Sequence, residues 1–478
     1  MSDTETKDLR ITSNLMTRHC LGIAATGGGK SNFLNLILKQ QMMRGGGALH
    51  IDGKNSKEAI IQFLSLAKQH NRWQDVRIIN IGDSKYSNTY NPLLRGDNDE
   101  LTSRVMQLLP EQGGGSGAFF RAQAGRGMRA ISGVLHSVNK PFHFGDLNLV
   151  MSNESAMRYL LRIAPPTKDA KDFAIFLEQM MTVDPRTGQK MLNQQKLQHT
   201  FGDLSGRLHS YFTGEAGRVL NPYSPEIDLY NAVKENLLVY VALPMLAKSE
   251  IATDFAKLMV SDLRTAVGQI QNDNYKPDPT FLVLMDEFSS YAMPSLSTLF
   301  EQARSSNVCL FPFIQTISSL SDKERGLSKD FADKILGNAW NKVAFLLQEP
   351  TSCEVMSEVA GQALQESVSE SFGESLSFQS GDDDASVLRT GGRGRSYGKS
   401  ISYKMDAIVP PSDFRNLGDG EAIYIGRNSV YKIQVPLVHL NIEDKEIDMP
   451  RYRMPHKQGL GISEMFQSMA MGGAPTSD

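Results

Sequence analysis

The eight residues Ala24 to Ser31, which read AATGGGKS, constrain this chain more than any other segment. They follow the apolar run Leu21 to Ala25 and precede Phe33 to Met42, where apolar residues recur at helical spacing. Glycines let successive backbone N–H groups point at phosphate oxygens, and the start of a helix adds partial positive charge there. The order of strand, glycine-rich turn and helix predicts a P-loop, although Ala24 replaces the usual first glycine.

P-loop chemistry assigns roles to individual residues. Lys30 is predicted to reach the terminal phosphates of ATP, and Ser31 is predicted to give a hydroxyl to Mg²⁺. ATP and Mg²⁺ are therefore the expected cofactors. The predicted cofactor-binding residues form the turn and the first residues of the helix: Ala25, Thr26, Gly27, Gly28, Gly29, Lys30, Ser31 and Asn32.

The second part of this site is predicted far along the chain. Residues Thr280 to Phe288 read TFLVLMDEF, an apolar run that ends in two acids and is typical of a buried strand. Asp286 is predicted to hold Mg²⁺, and Glu287 to orient and deprotonate the attacking water. Such a run is often only a core strand followed by surface acids, but its combination with a P-loop favours the catalytic interpretation.

Composition excludes several classes of protein. The 478 residues suffice for two or three domains, and a net charge of −3 with 40% hydrophobic residues is ordinary for a soluble chain. The three cysteines lie far apart and match no metal-binding spacing, which indicates reduced thiols. No apolar run approaches the ~18 residues that cross a bilayer, and no signal peptide is visible. A cytoplasmic chain without a membrane span is expected.

Strand and helix signals alternate on both sides of a long helical stretch. This alternation predicts an α/β fold, a RecA-like three-layer P-loop NTPase core with a mostly parallel sheet, interrupted by an inserted all-α domain. The predicted parts are the first portion of the core at 1–96, the insertion at 97–223, the second portion at 224–440 and a mobile tail at 441–478. Serine-rich alternation within the second portion predicts a flexible hairpin at 365–405.

The predicted insertion has a mild basic excess. From Arg121 to Arg218 there are 13 lysines and arginines against 8 aspartates and glutamates. A solvated helical surface explains this excess as well as a binding surface does, so both interpretations stay open.

Four features occur in a characteristic order. They are the P-loop, DGK at Asp52 to Lys54 with SNTYNPL further on, the acid-bearing strand, and EQARSSNVCLFPFIQTISSL from Glu301 to Leu320. Together they resemble the coupling ATPases of conjugation and type IV secretion, the TraD/TraG group, which is related to the HerA and FtsK DNA pumps. The resemblance extends over about Asn14 to Leu437.

This resemblance implies further roles. It implies an ATP-driven homo-hexamer, with Gln315 sensing the γ-phosphate and Arg304 reaching the nucleotide of the neighbouring subunit. A polar residue at the end of a strand is often only a hydrogen bonder, and an arginine at the end of a surface helix is often only solvated. The implied partners are DNA with its relaxosome or effector proteins, together with secretion-channel and inner-membrane components.

The expected function is recruitment of these substrates to a type IV secretion channel at the inner membrane. Two alternatives are a DNA translocase without a channel and a nucleotide-gated adaptor with little turnover. Members of the family commonly carry membrane-spanning helices before the P-loop, whereas Lys30 lies near the start of this chain. Either an anchor is missing here or the chain is an anchorless member.

Overall fold

The computed structural model describes residues 8–109, 116–377, 392–427, 429–440, 442, 446–451 and 461–470. The strands are β1 Cys20–Ile23, β2 Ala48–Asp52, β3 Val76–Asn80, β4 Met181–Val183, β5 Lys190–Leu192, β6 Leu238–Ala242, β7 Phe281–Met285, β8 Val308–Ile314, β9 Asn341–Ala344, β10 Gln362–Ser377, β11 Gly392–Ala407, β12 Glu421–Gly426 and β13 Ser429–Gln434.

The α-helices of the described residues follow the same order. They are α1 Ser13–Met16, α2 Lys30–Met43, α3 Lys57–Gln69, α4 Asn98–Met106, α5 Ser116–Ser137, α6 Phe144–Ser152, α7 Glu154–Ile163, α8 Lys168–Met180, α9 Gln194–Phe212, α10 Gly214–Leu220, α11 Leu229–Lys234, α12 Ser249–Asn272, α13 Leu296–Gln302, α14 Lys329–Asn338, α15 Pro350–Ala360, α16 Pro411–Arg415 and α17 Ile462–Ala470.

A nine-stranded sheet organises the molecule, in the order β13-β12-β9-β1-β8-β7-β2-β6-β3. The strands from β9 to β3 are all parallel, while β12 and β13 are antiparallel and close one edge. The prediction of a mostly parallel sheet is confirmed. In such a sheet the P-loop, which follows β1, and the acids, which follow β7, reach the same carboxyl edge.

Helices cover both faces of the sheet. On one face Phe33 and Leu38 of α2 and Phe63 of α3 pack into one apolar cluster with alternate strand residues. On the other face Phe255 and Met259 of α12 belong to a second cluster. The strands between them are buried on both sides, which explains why their sequences are continuous apolar runs.

The segment predicted as an all-α insertion is mainly helical and contains α4 to α10. It also contains a small hairpin of β4 and β5, which the sequence did not predict. The reason is a tight turn in which Asp184 accepts hydrogen bonds from Arg186 and Thr187 and Gly188 has a φ of 68°.

Two late segments complete the described chain. Residues 365–377 and 392–405 of the predicted hairpin belong to the long antiparallel pair β10 and β11, and residues 378–391 lie outside the described residues. The mobile tail predicted at 441–478 lies partly outside the described residues. In its described part Ile462 of α17 is buried, and the backbone N–H of Ser463 donates to Asp146 at 2.8 Å. The described part of the tail therefore contacts the helical insertion. Within the described residues, no helix combines the length and apolarity that a bilayer crossing requires.

Candidate nucleotide-binding site

The P-loop connects β1, in the middle of the sheet, to α2. Gly27 and Gly29 have φ angles of 87° and 92°, which side chains other than glycine rarely adopt. A Cβ atom added at Gly27 would meet no atom within 4 Å, so backbone conformation rather than packing requires glycine there. Gly29 is the N-cap of α2. The backbone therefore has the conformation that a phosphate cradle needs.

Lys30 connects the P-loop to the acids that follow β7. Its Nζ lies 2.6 Å from Oδ1 of Asp286 and 3.4 Å from Oε1 of Glu287. Burial lowers the pKa of Lys30, but the two carboxylates outweigh burial and the net shift is upward. The side chain of Asp286 is only 4% exposed. The ammonium group thus neutralises carboxylates that would otherwise be poorly solvated.

Gln315 lies directly after β8, the strand between β1 and β7. Its Nε2 donates to the two carboxylate oxygens of Glu287 at 3.3 and 3.1 Å. Glu287 itself has a φ of 51°, an uncommon conformation for a residue with a side chain. The structure therefore brings Lys30, Asp286, Glu287 and Gln315 together at the ends of three neighbouring strands.

A cleft at this edge contains most of the predicted cofactor-binding residues. It is lined by Ala24, Ala25, Thr26, Gly27, Gly29, Lys30, Ser31, Asn32, Lys54, Glu287 and Gln315. The side chain of Asn32 is engaged elsewhere, because it donates to Pro436 O and accepts from the N–H of Val438, both at 2.9 Å. Asn32 therefore fastens the segment after β13 to the start of α2.

Lys54 is a functional candidate that sequence reasoning did not assign, although its DGK motif was visible. Its Nζ lies 3.4 Å from Oγ of Ser31, so a second ammonium group faces the cleft. The turn that carries it fits closely against the acids, since a Cβ added at Gly53 would lie 3.2 Å from Cγ of Glu287. The motif thus places a cation beside the predicted metal-binding hydroxyl.

A second cavity adjoins the cleft, shares Ser31 and Lys54 with it, and is also lined by Asp286. Its wall includes His50, which is buried and has no hydrogen-bond partner among the described residues for either ring nitrogen. Burial lowers the pKa of His50 and keeps the ring neutral. Nearby, the hydroxyl of Tyr240 donates to the carboxylate of Asp52.

Arg304 does not reach this cleft. It precedes β8 and therefore lies at the amino edge of the sheet, opposite the P-loop. Three further residues occupy the same edge, on loops next to β1, β9 and β12: Arg18, Trp340 and Arg427. The guanidinium carbons of Arg18 and Arg427 lie 3.9 and 5.4 Å from the centre of the Trp340 ring. Of the arginines at this edge, the sequence indicated only Arg304, because Arg18 and Arg427 belong to distant segments of the chain.

The fold and the site together define a P-loop NTPase of the RecA-like type, in which a central strand leads into the P-loop and the strand two places away carries the acids. Comparisons with known proteins narrow this class. Residues 280–419 match the family model described as the TraM recognition site of TraD and TraG. The predicted resemblance to type IV coupling proteins is confirmed by this match and by the relatives below.

The type 4 coupling protein DotL of Legionella pneumophila is 23% identical over 481 residues, which cover 90% of this chain and 58% of DotL. The chain therefore spans less than two thirds of that relative. The unbound bacterial conjugative coupling protein TrwBdeltaN70 has a TM-score of 0.59 at 15% identity, covering 94% of this chain and 93% of the solved chain. TrwB in complex with ADP and Mg²⁺ has a TM-score of 0.58 at 14% identity, covering 92% of each chain. Both structures have the same fold as this chain.

Proposed function

We propose that this chain is an ATPase that recruits DNA or effector proteins and delivers them to a type IV secretion channel. The observation that carries the proposal is the cluster of Lys30, Asp286, Glu287 and Gln315 beside a backbone with P-loop geometry. The similarity to DotL and TrwB supports the coupling role.

ATP and Mg²⁺ fit the described residues. The cleft offers the glycine turn, two lysines and the hydroxyl of Ser31, and Asp286 lies next to it. Mg²⁺ is commonly held by one carboxylate, a hydroxyl, phosphate oxygens and water, and it would neutralise phosphate charge. Ser31 and Asp286 are the residues we assign to it. The solved TrwB complex with ADP and Mg²⁺ supports the choice of a nucleotide and Mg²⁺ as cofactors.

Each remaining side chain has a role in the proposed hydrolysis. Lys30 exchanges its carboxylate partners for phosphate oxygens, which leaves Glu287 free to accept a proton from water. Gln315 fixes the orientation of Glu287 and reports on whether the terminal phosphate is present. Removal of a positioned general base typically lowers a rate by about 10²- to 10⁴-fold.

Arg304 cannot serve the cleft of its own chain, because it lies at the opposite edge of the sheet. We therefore assign it to the cleft of a neighbouring copy in a head-to-tail homo-hexamer, in which the P-loop edge of one subunit faces the amino edge of the next. Arg304 would then stabilise the charge of the transferred phosphoryl group.

The predicted insertion at 97–223 is the proposed substrate selector. It interrupts a complete nucleotide-binding core, and its basic excess suits DNA or its relaxosome, whereas effector proteins would bind with weaker salt dependence. Secretion-channel and inner-membrane components are the proposed downstream partners. The proposed location is the cytoplasmic side of the inner membrane.

The decisive experiment measures steady-state ATP hydrolysis across a protein concentration series, with and without DNA. We expect activity per subunit to rise with concentration, because each cleft needs a neighbour, and to rise again with DNA or an effector. If DNA stimulates hydrolysis by the purified protein but cells that contain the protein transfer no substrate, a translocase without a channel would be favoured. Nucleotide binding without turnover at any concentration would favour an adaptor.

A further inference from the structure

The hairpin of β10 and β11 is not explained by nucleotide chemistry. Each strand has 16 residues, and the pair forms a two-stranded sheet of its own. At the usual rise per residue each strand is about 50 Å long. Within the described part of the chain, no third strand joins either outer edge of this sheet. An isolated two-stranded hairpin is only marginally stable in water, and long free edges are templates for further strands.

The two strands carry opposite charges. The sequence of β10 contains Glu366, Glu370 and Glu374 and no lysine or arginine. The sequence of β11 contains four basic residues and one acid: Arg393, Arg395, Lys399, Lys404 and Asp406. Within the hairpin Nε of Arg395 lies 3.1 Å from Oε1 of Glu374. A basic strand added beside β10, or an acidic strand added beside β11, would continue the alternation of acidic and basic strands.

The two faces of the hairpin also differ. Strand alternation and the register place large apolar residues on one face, where Leu364, Phe372 and Tyr403 are 64%, 81% and 65% exposed. On this face the rings of Phe372 and Tyr397 make an edge contact, with centroids 5.1 Å apart. The other face has mainly serine and glycine positions in the sequence. A shift by one residue would exchange the faces, so an added strand has a preferred register.

We propose that the hairpin pairs edge to edge with the hairpin of a second copy of this chain, β10 against β11 of the next copy. The inference rests on the multi-copy assembly in the proposed function. Pairing β10 with β10, or β11 with β11, would place like charges on neighbouring strands, which is destabilising. Pairing β10 of one copy with β11 of the next extends the antiparallel sheet, and every copy contributes two strands to it. This contact is head-to-tail, and its repetition can close a ring that has no free edge.

Single cysteines test this contact. The native Cys20, Cys309 and Cys353 are buried and do not interfere. One preparation carries Ser371→Cys on β10 and another carries a cysteine on β11, with Ser396, Ser400 and Ser402 replaced one at a time to scan the register. After mixing and mild oxidation, at least one combination should give a disulfide-linked dimer, and each variant alone should remain monomeric on a denaturing gel.

A matched control replaces the exposed Ser412, close to the base of the hairpin but outside it. Ser412→Cys mixed with Ser371→Cys should give no dimer. A dimer in Ser371→Cys alone would mean like-with-like pairing and would overturn the proposal, as would the absence of a dimer in every mixture. The readout needs no ATP hydrolysis. If the parent protein hydrolyses no ATP but the cysteine variants give the expected crosslinks, the proposed ATPase activity would be wrong and the proposed hairpin contact would be supported.

Discussion

The ammonium group of Lys30 lies 2.6 Å from the carboxylate of Asp286, although 256 positions separate the two residues in the chain. Their side chains are only 15% and 4% exposed, so each charge depends on the other for stabilisation. Binding of a nucleotide phosphate and Mg²⁺ would replace this internal pair with two external partners. In the nucleotide-free protein, the group proposed to bind phosphate, Lys30, and the group proposed to bind Mg²⁺, Asp286, therefore form an ion pair with each other.

Lys30→Met should destabilise the nucleotide-free protein by about 1–3 kcal/mol, because it leaves the buried carboxylate of Asp286 without its cation. Asp286→Asn combined with Lys30→Met should recover part of this loss. Urea unfolding measures the change, and Lys39→Met on the same helix is the control. Equal stability of Lys30→Met and the parent would show that the ion pair contributes nothing.

Lys54→Gln should weaken the binding of MgATP about tenfold, the effect expected when about 1.4 kcal/mol of cation–phosphate interaction is lost. The physical reason is that its Nζ is 3.4 Å from the hydroxyl of Ser31 in the cleft. Titration with a fluorescent ATP analogue measures the affinity. Lys57→Gln, an exposed residue three positions further on, should bind like the parent.

Glu287→Gln should retain ATP binding and lose hydrolysis by about 10²- to 10⁴-fold, because the amide cannot accept a proton. Gln315 can still hydrogen-bond to the amide oxygen, so the local structure should persist. Phosphate release and analogue binding are measured on the same preparation, with Glu301→Gln as the exposed control. Lost binding would instead assign Glu287 a structural role.

Arg304→Ala should lower turnover by about 10³-fold while leaving the affinity of an isolated subunit unchanged, as expected of an arginine that acts on a neighbouring cleft. Mixing it with Glu287→Gln subunits should restore part of the activity, since some interfaces then join an intact Glu287 to an intact Arg304. Arg186→Ala is an exposed control. Mixtures as inactive as either variant alone would contradict action between subunits.

His19 should make stability depend on pH. Its Nε2–H donates to Phe300 O, its Nδ1 accepts from the N–H of Leu310, and burial lowers its pKa from 6.5 to about 4. The unfolded chain binds the proton more readily, so this contribution is complete above pH 6.5 and is lost as the pH falls towards 4. The total is about 3 kcal/mol.

Urea unfolding between pH 7 and pH 4 measures this dependence. His19→Asn suits the test because asparagine tolerates the φ of 60° at this position. The variant should be less stable at pH 7 and should lose less stability on acidification than the parent. The exposed His439→Asn is the control. Parallel pH profiles for His19→Asn and the parent would assign the dependence to other groups.

The sequence determined the local chemistry of this protein. Glycine spacing before a lysine and a serine specifies the P-loop turn, and an apolar run that ends in two acids specifies a buried strand, because both depend on backbone conformation and burial over a few residues. The alternation of strands and helices was likewise sufficient to predict the parallel sheet. The order of these elements, and the DGK and ARSSNV segments, carried the family resemblance.

Only the tertiary structure decided which distant residues meet. Gln315 approaches Glu287 because β8 lies between β1 and β7, an order that the chain does not follow in sequence. Lys54 lines the cleft and His50 lines the adjoining cavity because β2 is the neighbour of β7 in the sheet. Arg18, Trp340 and Arg427 meet at the opposite edge because their loops precede or join neighbouring strands. Periodicity reports which face of a strand is buried, whereas strand order depends on the packing of the whole sheet.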